Sequence, residues 1–120
     1  RYDDLIPDII TELQDKITRL HEKGAYDIIV DPGLGFAKDT AQNYEIIKNI
    51  KSFEILGHPL LIGASRKSMV YKVLECDSNE ALNGSTVIHT ASLLNGASIL
   101  RVHDVKEAVE AVKITNLLKK

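Results

Sequence analysis

The sequence predicts an α/β fold built around a parallel sheet. Three short, nearly unbroken apolar runs are typical of buried strands, and each is followed by a segment with the apolar spacing of a helix. A longer amphipathic segment precedes the first run. The predicted order is therefore α-β-α-β-α-β-α, with right-handed crossovers between three parallel strands. Periodicity alone does not distinguish an open doubly wound sheet from part of a closed barrel.

The first half of the chain contains two predicted helices and one strand. Apolar residues at spacings of three and four predict a helix over residues 5–22. The β-branched run at 27–31 predicts a strand that is buried on both faces. Asp39 or Thr40 can then cap a second helix, which we expect to end near Lys51.

The second half continues the same alternation. Apolar runs at 59–64 and 97–102 predict two more strands. Between them, the spacing around Met69 predicts a short extra helix, and residues 82–94 predict a longer one that ends at an Asn-Gly pair. A capping-box-like start at Asp104 predicts the last helix.

Composition places the chain among globular proteins. Its 120 residues are 44% hydrophobic and 27% charged, enough for one domain with a real core. No apolar run approaches the ~20 residues that cross a bilayer, and the first residues do not resemble a signal peptide. A net charge of -2 predicts neither a nucleic-acid nor a membrane partner. Cys76 is the only cysteine, which excludes an internal disulfide and a thiolate metal cluster.

Chemistry in a parallel α/β fold belongs at the carboxyl ends of the strands. At the first such end, Asp31 offers a fixed acceptor for paired N–H donors of a flat heterocycle, beside the flexible Gly33 and Gly35. The alternative is a turn in which Asp31 caps nearby amides. A dinucleotide-binding loop is excluded because Lys38 stands where a third glycine is needed.

The second strand end carries Ser65-Arg66-Lys67-Ser68. With Ser65 as the N-cap of the short helix, the exposed amides, a hydroxyl and a lysine would form a site for a carboxylate or phosphate. The alternative is a solvated cap with surface charges.

The third strand end reads Arg101-Val102-His103-Asp104. Alternation along a strand places Arg101 and His103 on the same side, where they could hold an oxyanion. We expect Asp104 to cap the last helix rather than to complete a catalytic triad.

The other histidines and the cysteine carry weaker signals. His21 and His58 lack partners at metal-ligand spacing and are interpreted as surface residues. His89 lies inside a predicted helix and is interpreted as structural. Cys76 has no activating neighbour in the sequence.

Together the three strand ends resemble dihydropteroate synthases. The matching motifs are Asp31-Pro-Gly-x-Gly-Phe36-x-Lys, Gly63-x-Ser-Arg-Lys67-Ser68 and Arg101-Val-His103-Asp-Val. The resemblance implies a (β/α)8 barrel that joins 4-aminobenzoate to a dihydropterin methyl diphosphate and releases diphosphate in folate synthesis. The chain would be the C-terminal part of this barrel.

The resemblance also implies residue roles. Asp31, Lys67 and Arg101 would bind the pterin, and Arg101 with His103 would bind the diphosphate. Lys67, Arg101 and His103 would be the catalytic residues. Phe36 and Ser68 would bind the aminobenzoate.

The length is short for this family. A complete barrel takes about 250 residues, so we expect residues 1–120 to be a single partial domain that is inactive alone. The resemblance implies Mg2+ as a cofactor, with its ligand in the N-terminal half and none in this chain. It also implies a cytoplasmic homodimer.

Two other functions are compatible with parts of the pattern. A methyltetrahydrofolate methyltransferase would share the barrel and pterin recognition, but the cations and hydroxyls at the second and third strand ends suit a carboxylate and a diphosphate better. A non-catalytic interaction fragment would use its exposed strand edges to bind a partner.

Overall fold

The computed structural model describes residues 2–119. This range contains five α-helices and one small parallel sheet of two strands. They are α1 (Leu5–Glu22), α2 (Thr40–Lys48), α3 (Ser68–Tyr71), α4 (Leu82–Leu94) and α5 (Val105–Leu118). The strands are β1 (Leu61–Ile62) and β2 (Ile99–Leu100), and 3-10 helices cover Ile50–Leu56 and Ser78–Glu80. The α/β prediction is confirmed.

The sheet is shorter than predicted. β1 and β2 pair in parallel, with Leu61 opposite Ile99 and Ile62 opposite Leu100. The predicted strand at 27–31 is reduced to an isolated parallel bridge between Val30 and Leu60. Its burial on both faces is also wrong, because Ile29 is 57% exposed. A strand needs a ladder of hydrogen bonds, and the segment before Val30 pairs with no neighbour in the described part of the chain.

The predicted helices are found with small changes. Asp39 caps α2 by accepting a hydrogen bond from the Gln42 amide at 2.8 Å, and the Gln42 side chain accepts one from the Asp39 amide at 3.0 Å. This helix ends earlier than expected, at Lys48, and a 3-10 helix follows it. Asn95 ends α4, and Gly96 then turns the chain with a φ of +114°.

The core lies between the sheet and the helices. Large, fully buried apolar side chains come from α2, the first 3-10 helix, β1, α3 and the loop after Val30, and include Leu34, Ile46, Ile50, Ile62 and Met69. None of the described helices is long and apolar enough to cross a membrane. The core fixes two loops that follow Val30 and β1: the first loop (residues 31–38) and the second loop (residues 63–67).

Candidate active site at the strand ends

The second loop and the end of β2 form one side of a small polar cavity. Gly63, Ser65 and Lys67 line it at alternating positions, and Arg101 and His103 line it from the next strand. Its volume is about 120 Å³. The structure thus places Arg101 and His103 beside the same cavity, although Val102 between them lines it too and all three residues follow the end of β2.

Asp31 joins this cavity to the first loop. Its Oδ1 accepts a hydrogen bond from the Gly33 amide at 2.9 Å, and its Oδ2 lies 3.2 Å from Arg101 Nη1. The carboxylate therefore forms the turn weighed as its alternative role and also meets a cation. With 36% of the side chain exposed, it keeps a surface for a ligand.

Arg101 reaches Asp31 by lying over Gly63. A Cβ atom at Gly63 would be 2.5 Å from Arg101 Nη2 and 2.8 Å from Cζ. The absence of a side chain at residue 63 is therefore what lets the guanidinium lie flat against the second loop. The Arg101 side chain is still 54% exposed, so it can also contact an anion from solvent.

Lys67 links the two loops. Its Nζ donates a hydrogen bond to the Leu34 carbonyl at 2.8 Å and lies 5.5 Å from the centre of the Phe36 ring. Partial burial lowers the pKa of Lys67, the neighbouring Arg101 charge lowers it further, and Asp31 opposes both effects. The Lys67 ammonium thus lies near both Asp31 and Arg101, which are 36 and 34 residues away in the sequence.

A larger cleft of about 450 Å³ opens beside Lys67. Phe36 and Ser68, the two predicted aminobenzoate contacts, both line it. Phe36 is 68% exposed, so its ring forms a free apolar wall. The remaining walls include Arg66, Asn43 and Tyr71.

Ser65 does not cap the short helix. Lys67 occupies the N-cap position of α3 and provides no side-chain cap, so the predicted role of Ser65 is wrong. Ser65 is instead buried, and its Oγ lies 2.9 Å from Nδ1 of His103 and accepts a hydrogen bond from the His103 amide at 3.2 Å. The Ser65 hydroxyl thus contacts His103, which follows the neighbouring strand, and does not cap the start of α3 as the sequence predicted.

Asp104 occupies the N-cap position of α5, but its side chain does not cap the helix. Its two oxygens instead accept hydrogen bonds from Arg66 Nε at 2.9 Å and Nη2 at 3.0 Å. The hydrogen-bonded Arg66 lowers the pKa of Asp104, and His103 and His89 add smaller effects in the same direction. The expectation that Asp104 caps the last helix is therefore wrong.

Sequence reasoning missed two residues that shape the first loop. Buried Asn43 accepts a hydrogen bond from the Gly35 amide at 2.9 Å, and Lys38 Nζ donates to the Gly33 and Phe36 carbonyls at 3.0 and 3.3 Å. Asn43 had a signal, because a polar residue interrupts the buried face of α2.

The other singled-out residues lie away from the cavity. His21 and His58 are half-buried, with ring centres 5.4 Å apart, so each is only partly exposed at the surface. His89 is buried in α4, where burial lowers its pKa, and Cys76 is partly exposed. The described residues contain no group of three or more His, Cys, Asp or Glu side chains that could hold a metal ion.

Taken together, two cations and a histidine line one cavity, a carboxylate contacts one of these cations, and a cleft that includes an aromatic wall lies beside them. Such a set can pair with a planar heterocycle, bind an anion and stabilise negative charge that develops on a leaving group.

The family model for pterin-binding enzymes matches residues 1–103. The chain belongs to the pterin-binding enzyme family.

Relatives and solved structures narrow the similarity. The dihydropteroate synthase of Escherichia coli K12 is 36% identical over 116 residues, which are 95% of this chain and 41% of the relative. The Yersinia pestis dihydropteroate synthase with a sulfonamide drug is 39% identical with a TM-score of 0.95, over 99% of this chain and 44% of that one. The Thermus thermophilus synthase in complex with 4-aminobenzoate is 30% identical with a TM-score of 0.94, over 100% of this chain and 49% of that one. The resemblance seen in the motifs is confirmed, and the chain spans less than half the length of these proteins.

Proposed function

We propose that this chain forms the C-terminal part of a (β/α)8 barrel that synthesises dihydropteroate. The observation that carries the proposal is the convergence of Asp31, Lys67 and Arg101 from three strand ends. These residues lie far apart in the sequence, yet Lys67 and Arg101 line one cavity and Asp31 forms an ion pair with Arg101 beside it. The relatives described above are synthases, which favours this activity over methyl transfer.

The pterin would lie between Asp31, Lys67 and Arg101. The Asp31 carboxylate can accept two N–H hydrogen bonds from the ring. Of its roughly four lone-pair positions, Gly33 uses one and Arg101 uses another. The Lys67 ammonium can donate to a ring acceptor while Leu34 holds it in position. The Arg101 guanidinium offers a flat face that can stack on the heterocycle.

The diphosphate would lie against Arg101 and His103. Ser65 orients the imidazole through Nδ1, which leaves Nε2 to face an anion. The exposed part of Arg101 can donate to the same oxygens. A cation and an imidazole at this point stabilise the charge that a departing diphosphate develops.

The aminobenzoate would occupy the cleft between Phe36 and Ser68. The ring packs on Phe36, and the carboxylate reaches the Ser68 hydroxyl at the start of α3. In the reaction the bond from the pterin methylene carbon to the diphosphate oxygen breaks, and its electron pair leaves with diphosphate. The amine nitrogen then bonds to that carbon and loses a proton, so the step needs no protein nucleophile.

We further propose, on the resemblance, that the domain at 1–120 is partial, that the complete protein is a cytoplasmic homodimer, and that any Mg2+ ligand lies outside this chain. The first point has a second support, because the backbone before Val30 pairs with no neighbour in the described part of the chain and could pair with a further strand. We expect the 120-residue chain alone to be inactive.

A chimera tests the function. This chain replaces the aligned part of the Escherichia coli synthase, and dihydropteroate formation is measured from the dihydropterin methyl diphosphate and 4-aminobenzoate. We expect turnover in the chimera and its loss in the matched chimera with Arg101→Ala. A folded chimera, judged by circular dichroism, that binds neither pterin nor diphosphate would overturn the proposal and favour an interaction fragment.

A further inference from the structure

Two adjacent residues after β1 are bound to two adjacent residues after β2. Ser65 contacts His103, and Arg66 forms an ion pair with Asp104. We call these four residues the clasp. The sequence separation across it is 38 residues, so the clasp is a purely tertiary device.

Arg66 has an unusual backbone within the clasp. Its φ is +54°, in the left-handed region that non-glycine residues rarely adopt. Such a conformation persists when the surrounding structure over-determines it, and it is often found at functional sites.

Four hydrogen bonds hold Arg66 in this conformation. Its amide donates to Ser85 Oγ at 2.9 Å, and its Nη1 donates to the Ser78 carbonyl at 2.7 Å. Nε and Nη2 bind the two oxygens of Asp104. All three guanidinium nitrogens therefore have protein partners, although Arg66 lines the larger cleft.

The residues that follow Arg66 are those of the proposed site. Lys67 takes the N-cap position of α3, and Ser68 is its first residue. This helix has four residues and no side-chain cap, so its own sequence does little to fix where it begins. The backbone of Arg66 sets the direction in which the chain enters it.

We propose that Arg66 and Asp104 are positioning residues: their ion pair fixes the backbone at residue 66 and thereby aims Ser68 and the start of α3 at the aminobenzoate carboxylate. The last part of this inference rests on the proposed function. The alternative is that Arg66 contacts the carboxylate directly. The two models predict different effects when the Asp104 carboxylate is removed. If Arg66 contacts the substrate directly, its guanidinium becomes free to do so; if the ion pair positions the chain, the backbone at residue 66 becomes looser.

The first measurement needs no substrate. Hydrogen exchange of the Val70 and Tyr71 amides, which donate to the Lys67 carbonyl at 2.8 and 3.2 Å, reports on the first turn of α3. In Asp104→Ala we expect their protection to fall by about tenfold, within the range of coupling energies between contacting residues. Asp104→Asn, which keeps one oxygen for Arg66, should fall less. Glu107→Gln is the matched control, since Glu107 lies near Arg66 without a hydrogen bond to it among the described contacts.

The second measurement uses the chimera described above. In Asp104→Ala the KM for 4-aminobenzoate should rise by about tenfold while the KM for the pterin diphosphate changes less than about twofold, because Asp31 and Arg101 are untouched. Arg66→Gly keeps the left-handed backbone accessible without strain, so it should show the same split if the ion pair is responsible. The double variant Arg66→Gly with Asp104→Ala should be no worse than either single variant.

The outcomes separate this inference from the proposed function. Unchanged protection in Asp104→Ala, or an unchanged or lower KM for 4-aminobenzoate, would overturn the positioning role, and a lower KM would favour direct contact by Arg66. A third outcome combines a loss of protection in Asp104→Ala with an unsubstituted chimera that binds pterin but forms no dihydropteroate. It would overturn the proposed reaction and the contact of Ser68 with aminobenzoate, while supporting the clasp as the group of residues that fixes α3.

Discussion

The two loops at the strand ends are held in different ways. In the first loop, the Gly35 amide donates a hydrogen bond to Asn43, and the long side chains of Lys38 and Lys67 donate to loop carbonyls. The loop projects Phe36 into solvent. The second loop is buried at Ala64 and Ser65 and is joined to the next strand by the clasp.

We therefore expect the first loop to move more easily than the second. Lysine side chains have several rotatable bonds, so the first loop can shift while the hydrogen bonds are exchanged for water or ligand. The bidentate pair and the buried hydroxyl of the second loop leave little freedom. Lys67 therefore lies on the more rigid loop, whereas Asp31 and the exposed Phe36 lie on the loop held by flexible side chains.

The largest expected effect is at Lys67, the link between the loops. Lys67→Ala removes the bond to Leu34 and the cation over Phe36. We expect turnover of the chimera to fall by roughly a hundredfold, as for loss of one preorganised donor, with little change in the circular dichroism spectrum. Steady-state kinetics beside Lys72→Ala, an exposed lysine on the same segment, would check this. Near-normal turnover in Lys67→Ala would mean that the loops do not depend on this link.

The next effect tests the fixed second loop. Gly63→Ala places a Cβ where the Arg101 guanidinium lies, and that flexible side chain can move away without disrupting the core. We expect the affinity for the pterin diphosphate to weaken by about tenfold, typical for a charge-assisted contact, while Tm is nearly unchanged. Isothermal titration would measure the affinity.

A double variant provides the control for Gly63. If the displacement of Arg101 is the cause, Gly63→Ala with Arg101→Ala should bind no more weakly than Arg101→Ala alone. Additive losses would show that Gly63→Ala damages the second loop itself.

A smaller effect is expected at the tip of the first loop. Because Phe36 is 68% exposed, Phe36→Ala should change the free energy of unfolding by less than about 0.5 kcal/mol. It should still raise the KM for 4-aminobenzoate by about fivefold through loss of an aromatic contact. Urea unfolding and kinetics on the same preparation would test both parts. A large loss of stability would show that the first loop is part of the core.

The smallest effect is a pH dependence behind the second loop. Burial lowers the pKa of His89 from 6.5, with Asp104 opposing the shift, so the folded chain binds fewer protons here than the unfolded chain as pH falls below 6.5. Stability is therefore lost between pH 6.5 and the lower folded pKa. Thermal melts from pH 7.5 to 5.5 should show a Tm decrease of a few degrees that His89→Gln reduces and His58→Gln retains. An equal decrease in all three proteins would exclude His89 as the cause.

The sequence by itself determined the helices and the positions of the chemistry. The bounds of α1 and α4 follow from apolar spacing and from local end signals, and the cap of α2 at Asp39 was among the predicted ones. These features could be predicted because the interactions connect residues within a few positions. The sequence likewise predicted Arg101 and His103 on the same side of the chain, and both line one cavity just after β2.

Tertiary structure alone decided the partners of these side chains. Ser65 and Asp104 are both good N-cap residues in the sequence, but each finds a stronger or better buried partner 38 residues away. The strand at 27–31 fails for the same reason, since a ladder depends on neighbours that local sequence does not specify. Local interactions can be read from spacing, whereas competition between a local cap and a distant charge is settled only when the strand ends are brought together.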